Sequence, residues 1–127
     1  MIYAILAYHE ENIVTSWSEA EDAALMTELL GVHKTLVDDG RLGPAARLGP
    51  TSQAVTIRTQ GKPIVLDGPF AETKEALLGL YLAECETLDE AIATATALAK
   101  VNTTAVYEIR PVMLMLNGAE MKGAGTL

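Results

Sequence analysis

Val65 to Cys85 reads VLDGPFAETKEALLGLYLAEC and concentrates side chains suited to chemistry. Asp67 precedes Gly68 and Pro69, a combination that favours a tight turn, because the Asp oxygen accepts backbone N–H bonds while glycine takes unusual dihedrals. On that reading Asp67 fixes its own loop by accepting from amides around Phe70 and Ala71. Phe70, the sole phenylalanine, then anchors the loop by burying its ring. The chemical reading makes Asp67 a general base or polar anchor at the mouth of a cleft, which requires a raised pKa for proton transfer near neutral pH. Glu72, Lys74 and Glu75 follow. They form either a solvated turn with a weak local ion pair or, through Lys74, a ligand contact.

Farther along, alternation places Val106, Glu108, Arg110 and Val112 on one face of a strand and Ala105, Tyr107 and Ile109 on the other. The second set suits a core beneath helices. Glu108 and Arg110 then point into a space between two sheets, where buried charges must be paired. The alternative is that the Arg110 fork binds an anionic or phenolic ligand there. Tyr8 and Tyr81 are candidate cleft-lining residues, against the plainer role of packing at strand ends. His9, beside Glu10 and Glu11, ends the first strand, and His33 lies on an apolar helix stripe where a hydrogen-bonded packing role is expected. Two histidines and one cysteine make no ligand cluster at a recognised spacing, so no metal is expected. Cys85 sits in an apolar run and is expected to be buried as a small hydrophobe. There is no glycine-rich phosphate loop and no nucleophile elbow, so no cofactor is expected either.

Composition narrows the partners. A chain of 127 residues, half of them apolar, has room for one domain with a real core. Its formal net charge is −8. An acidic surface without a Lys/Arg cluster repels phosphate backbones and anionic lipid, which argues against nucleic-acid and membrane-surface roles. The opening MIYAILAYHEEN has no basic leader, and its apolar run is too short for a signal core or a membrane span. A cytoplasmic protein is expected.

The elements that must position these residues follow from periodicity. Residues 2–8 read as a buried strand. A long helix follows, opened by a capping box of Ser16 with Glu19 or Ser18 with Glu21. It carries Leu25, Leu29, Val32 and Leu36 on one stripe and ends at Gly40 in a left-handed conformation. Arg-Leu-Gly-Pro then occurs twice, marking two turns around a short extended piece. Residues 54–59 and 64–66 form a hairpin about Gln60-Gly61-Lys62. Residues 79–85 make a strand, and Thr87 with Glu90 opens an Ala-rich helix to about Lys100. Residues 105–112 are the last main strand. Residues 113–127 are a C-terminal extension whose Met/Leu half could prolong that strand and whose Gly-rich end is loose. The order predicts an α+β sandwich of the split βαβ kind, with both helices on one sheet face. The other face is also apolar and one chain supplies no third layer, so a homodimer through the sheet face is expected.

LDGPFAETKEALLGLYLAEC, followed by LDEAIATATALAK and YEIRPV, resembles the DGPF branch of the YCII-related proteins, and the likeness covers residues 1–112 in order and spacing. It implies a ferredoxin-like fold that dimerises through its sheets into an α/β barrel. The wider family includes a dehydrochlorinase acting on a chlorinated aromatic ring through a His and an Asp. Some DGPF members lie beside genes for extracytoplasmic-function sigma factors, which implies a regulatory or accessory role. In the catalytic branch the His stands on the first helix; counting back from Gly40 to the equivalent place gives Leu29, which accepts no proton. His33 is a turn further along and does not inherit the role. The expectation is therefore a small-molecule-binding or regulatory accessory homodimer, with a ligand in the inter-sheet cleft near Tyr8, Lys74, Tyr81, Glu108 and Arg110. The alternative is a lyase-like or isomerase-like enzyme for small hydroxylated aromatic substrates, with Asp67 as its acid/base group.

Overall fold

Strand β1 (Ile2–His9) alternates buried and half-exposed residues along its whole length. Tyr3, Ile5, Ala7 and His9 are buried, as the period of two demands when one face of a sheet is covered. A computed structural model describes residues 1–125. The predicted long helix forms as α2 (Glu19–Asp38); a short α1 (Glu11–Ser16), not read from the sequence, precedes it, and Trp17 in extended backbone separates the two. The cause is local. Ser18 Oγ accepts from Glu21 N at 3.1 Å while the Glu21 carboxylate accepts from Ser18 N at 3.2 Å, so the second of the two legible capping boxes is the one that forms. At the other end Arg41 N donates to Leu36 O at 3.0 Å and Gly40 N to Val37 O at 2.9 Å. Gly40 takes φ 72°, the left-handed stop its position predicts.

The first Gly-Pro turn region is more regular than expected. Leu42–Arg47 forms β2, paired with β5 (Ala76–Glu84) at the edge of the main sheet. Pro44 has no N–H to give a ladder. It is tolerated because β2 lies at an edge and its register slips between Leu42 and Ala45. After a short 3₁₀ turn at Thr51–Gln53, β3 (Val55–Arg58) and β4 (Ile64–Asp67) make the expected hairpin around Gly61. This hairpin is a two-stranded sheet of its own, with Val55, Ile57, Ile64, Val65 and Leu66 all exposed.

β5 begins at Ala76 rather than Gly79. Ala7 faces Gly79 and Tyr8 faces Leu77, so Leu78 is the extra residue of a bulge. A side chain at 79 would place its Cβ 3.2 Å from Ala46 O, which explains the glycine. Helix α3 (Leu88–Val101) is capped by Thr87, whose Oγ1 accepts from Glu90 N at 3.2 Å. The expected reciprocal box does not close. The Glu90 carboxylate accepts from Glu86 N at 2.8 Å, one residue before the cap. β6 (Val106–Pro111) completes a four-stranded sheet of order β2-β5-β1-β6 in which every pairing is antiparallel.

This is an α+β arrangement with an antiparallel sheet, consistent with the split βαβ, ferredoxin-like order expected. Leu29 and Leu36 of α2 and Ala91, Ala95 and Leu98 of α3 close over Tyr3, Ile5, Ala83 and Cys85. Cys85 is buried as expected, with Sγ 4.0 Å from Thr94 Oγ1. On the opposite face Ala4, Leu6, Leu80 and Leu82 are half-exposed, while Leu77 and Val106 are 37% and 52% exposed. Beyond β6 one further bond forms, from Val112 N to Ile2 O at 2.9 Å. The predicted strand extension through the Met/Leu segment does not form; Met113, Leu114 and Leu116 are exposed coil. Of the extension, residues 126–127 lie outside the described residues. Among the described residues no helix is long and apolar enough to cross a membrane.

Candidate functional site

Because adjacent residues of a strand face opposite ways, the sheet sorts the expected site residues into separate groups. Tyr8, Glu108 and Arg110 share the outer face. Tyr8 OH donates to Glu108 Oε1 at 3.3 Å, and Glu108 and Arg110 lie opposite Leu6 and Ala4. Partial burial raises the Tyr8 pKa, the Glu108 charge adds to the rise, and the Arg110 charge works against it. Tyr81 lies on the other face, opposite Ile5 and Ala45. Lys74 pairs with Glu10 at 3.3 Å from a largely exposed side chain, a contact worth little in water.

Asp67 ends β4 and is exposed. The turn-fixing role expected for it is not what the structure shows: among the described residues its carboxylate makes no hydrogen bond. Gly68 N donates instead to Ala54 O at 2.7 Å, and Thr56 Oγ1 donates to Gly68 O at 2.8 Å. The register explains this. Val55 faces Asp67, so the next pair along is Ala54 with Gly68, and the hairpin ladder reaches the glycine amide before any side chain must. Phe70 is likewise not buried. It is 73% exposed, and its ring lies under the Arg58 guanidinium at 5.2 Å, an exposed cation–π contact.

A concave feature of the molecule lies on the inner side of the sheet. A cavity of about 350 Å³ opens between α1–α2 and the sheet. Asp22, Met26, Leu29 and His33 reach it from one face of α2, at helical spacing. His9 comes from the end of β1, Trp17 from the break between the helices, Arg47 from β2, Tyr81 from β5 and Asn102 from the C-cap of α3. The His9 ring meets Trp17 edge-on at 5.9 Å.

A chain of polar groups includes two of the lining residues, His9 and Asn102. Asn102 Nδ2 lies 3.3 Å from His9 Nε2 and donates to Tyr107 OH at 3.1 Å. His9 Nδ1 lies 3.5 Å from Thr104 Oγ1. With both amide hydrogens of Asn102 used in this way, His9 Nε2 accepts and the imidazole proton sits on Nδ1. Asn102 is only 6% exposed, and its Oδ1 is buried without a partner among the described residues. Burial lowers the His9 pKa, helped by the Arg47 charge, and burial alone lowers that of His33. Burial pushes the Tyr107 hydroxyl up to about 12, against the effect of its bond from Asn102. The string is therefore uncharged at neutral pH. Nearby, Arg47 holds Asp22 with two bonds, at 2.7 and 3.2 Å. That pair keeps the Asp22 carboxyl below the usual carboxylate range.

The matched family model is the YCII-related domain, and it covers residues 1–116. The chain belongs to the YCII-related family. It is also similar to an uncharacterized protein of Rhizobium meliloti (strain 1021), 48% identical over 120 residues that span 93% of this chain and 97% of the relative. In this YCII-related chain Leu29 is a buried core residue that also lines the cavity. His9 Nε2 faces Asn102, and His33 lines the same cavity. Such a lining can hold a molecule.

Trp17, Asp22, Arg47, Asn102 and Tyr107 were not among the expected site residues. One signal was legible. Two serines able to cap flank the sole tryptophan, which marks a helix break with an aromatic residue held inside it. Asn102 has no comparable local mark, since its partners come from β1 and β6.

Proposed function

We propose that this YCII-related chain is a small-molecule-binding accessory homodimer whose ligand site is the cavity between α1–α2 and the sheet. The observation that carries the reading is the cavity itself. At about 350 Å³ it has the size of a small-ligand pocket. Its walls are mostly apolar and aromatic, with a few convergent polar groups, the composition such sites use to combine affinity with orientation.

The homodimer half of the proposal rests on the outer sheet face, where Leu6, Leu77, Leu80, Leu82 and Val106 form an apolar surface. A second copy of that face would cover it. Tyr8, Glu108 and Arg110 would then stand between the sheets, and the inter-sheet ligand expected from the sequence would meet them there. Asp67 and Lys74 are exposed and outside the cavity lining, so the enzymatic alternative built on Asp67 draws no support from the geometry.

The test is ligand-observed NMR with a library of fragment-sized compounds. Ala45 lines the cavity from an exposed edge strand, so Ala45→Phe fills the space without removing core. Binders are expected for the wild type, absent for Ala45→Phe and retained by Arg110→Gln. Binders that survive Ala45→Phe and vanish with Arg110→Gln would move the site to the sheet face.

A further inference from the structure

The hairpin of β3 and β4 stands apart from the main sheet, and its charge is opposite in sign to that of the rest of the chain. Resting on the homodimer reading above, we infer that it is a docking arm: in the dimer each hairpin lies on the acidic body of the second copy.

The two strands pair with each other and with no strand of the main sheet. At the base, the bonds from Gly68 N to Ala54 O and from Thr56 Oγ1 to Gly68 O, at 2.7 and 2.8 Å, join the hairpin only to itself. The register puts Val55, Ile57 and Val65 on one face, at 60%, 63% and 65% exposure. Ile64 and Leu66 lie on the other, at 52% and 44%. Neither face is covered. A two-stranded hairpin left so in water is marginal and gains stability by packing against something. A cluster of exposed apolar side chains of this kind marks an interaction surface.

Charge identifies the occupant. Residues 40–66 contain Arg41, Arg47, Arg58 and Lys62 and no Asp or Glu, so all 17 acidic side chains lie on the rest of the chain. Arg47 is taken by Asp22. Among the described residues Arg58 and Lys62 form no ion pair, and Arg58 rests on the Phe70 ring at 5.2 Å. A positive, apolar arm is drawn to an acidic surface over about 10 Å at moderate salt, and a second copy supplies such a surface. Two hairpins placed face to face would set Arg58 and Lys62 against their own copies, a repulsive arrangement. Nucleic acid or anionic lipid would be repelled by the acidic body beside the arm. A twofold dimer makes the hairpin-to-body contact twice, once from each copy.

The experiment is sedimentation equilibrium of the full chain as wild type and as two double variants, with circular dichroism to confirm the fold. Ile57→Asp with Val65→Asp puts charge on an apolar face that is exposed in the single chain, so folding should persist. The dimer dissociation constant should rise about tenfold or more, because those charges would be buried unpaired against the partner. Arg58→Glu with Lys62→Glu should also raise it about tenfold at low salt, and much less at about 0.5 M salt, where screening shortens the attraction. If both variants dimerise as tightly as the wild type, the docking arm is overturned and the sheet-face dimer stands. A monomeric wild type overturns the homodimer reading and the arm with it. If only the aspartate variant weakens the dimer, the acidic-body assignment is overturned in favour of hairpin against hairpin.

Discussion

Replacing Asn102 by alanine removes the amide that joins His9 to Tyr107. Two contacts disappear, at 3.3 and 3.1 Å, and a buried imidazole nitrogen and a part-buried phenol each lose a donor. A stranded buried polar group costs about 1–3 kcal/mol. Tyr107 still has the Tyr81 hydroxyl beside it, so its share lies near the lower end. The variant also deletes the unpartnered Oδ1, which offsets about 1 kcal/mol. The net loss is about 1–3 kcal/mol, a fall of about 4–12 °C in melting temperature for a domain of this size. Thermal unfolding followed by circular dichroism at neutral pH measures it. Asn102→Asp supplies a check on direction. In the wild type His9 and His33 have pKa values lowered from 6.5. Below that pH the unfolded chain binds more protons than the folded one, so their contribution is complete above pH 6.5 and is lost as pH falls. A carboxylate facing Nε2 would raise the His9 pKa instead, making its contribution present at low pH and lost as pH rises. Melting of Asn102→Ala within about 1 °C of wild type would refute the assigned role of the polar string. So would an Asp variant that keeps the wild-type pH slope.

His9→Gln should flatten the acid-side decline in melting temperature seen for the wild type, since it removes the more deeply buried of the two histidines; an unchanged slope would assign the decline to other groups. Leu80→Arg places a charge on the outer sheet face opposite Leu6 and Ala46, and sedimentation should show a monomer where the wild type is a dimer. A monomeric wild type at micromolar concentration would remove the homodimer from the proposal. Asp67→Ala should stay within about 0.5 kcal/mol of wild type, whereas Thr56→Val, which loses the bond to Gly68 O, should cost about 0.5–1.5 kcal/mol in chemical denaturation. A larger loss at Asp67 than at Thr56 would restore the carboxylate as the turn's anchor.

The elements legible from sequence are those whose causes lie within a few residues. Alternation assigned Tyr107 and Ile109 inward and Glu108 and Arg110 outward, because the faces of a strand follow from its pleat alone. Gly40 could be placed at the helix stop, and Gly61 in the hairpin turn, because a positive φ favours glycine wherever the chain goes next. The match of family motifs in order likewise needed no coordinates. Two local readings failed where a distant partner intervened. Asp67 looked like the acceptor for its loop, yet β3 runs alongside and Ala54 and Thr56 take the Gly68 amide and carbonyl first. Pro44 argued against a regular strand, and only the edge position beside β5 permits one there.

The cavity belongs wholly to tertiary structure. His9 and Asn102 are 93 positions apart in the chain, and nothing near either residue specifies the other. Their meeting depends on α3 ending where β1 ends across the sheet, and on the break at Trp17 that lets α1 and α2 stand over the gap. The sequence by itself determined the alternation, the caps, the turns and the family. Which polar residues share a water-poor space was decided by packing, because burial and orphaned hydrogen bonds are properties of the closed interior rather than of any segment.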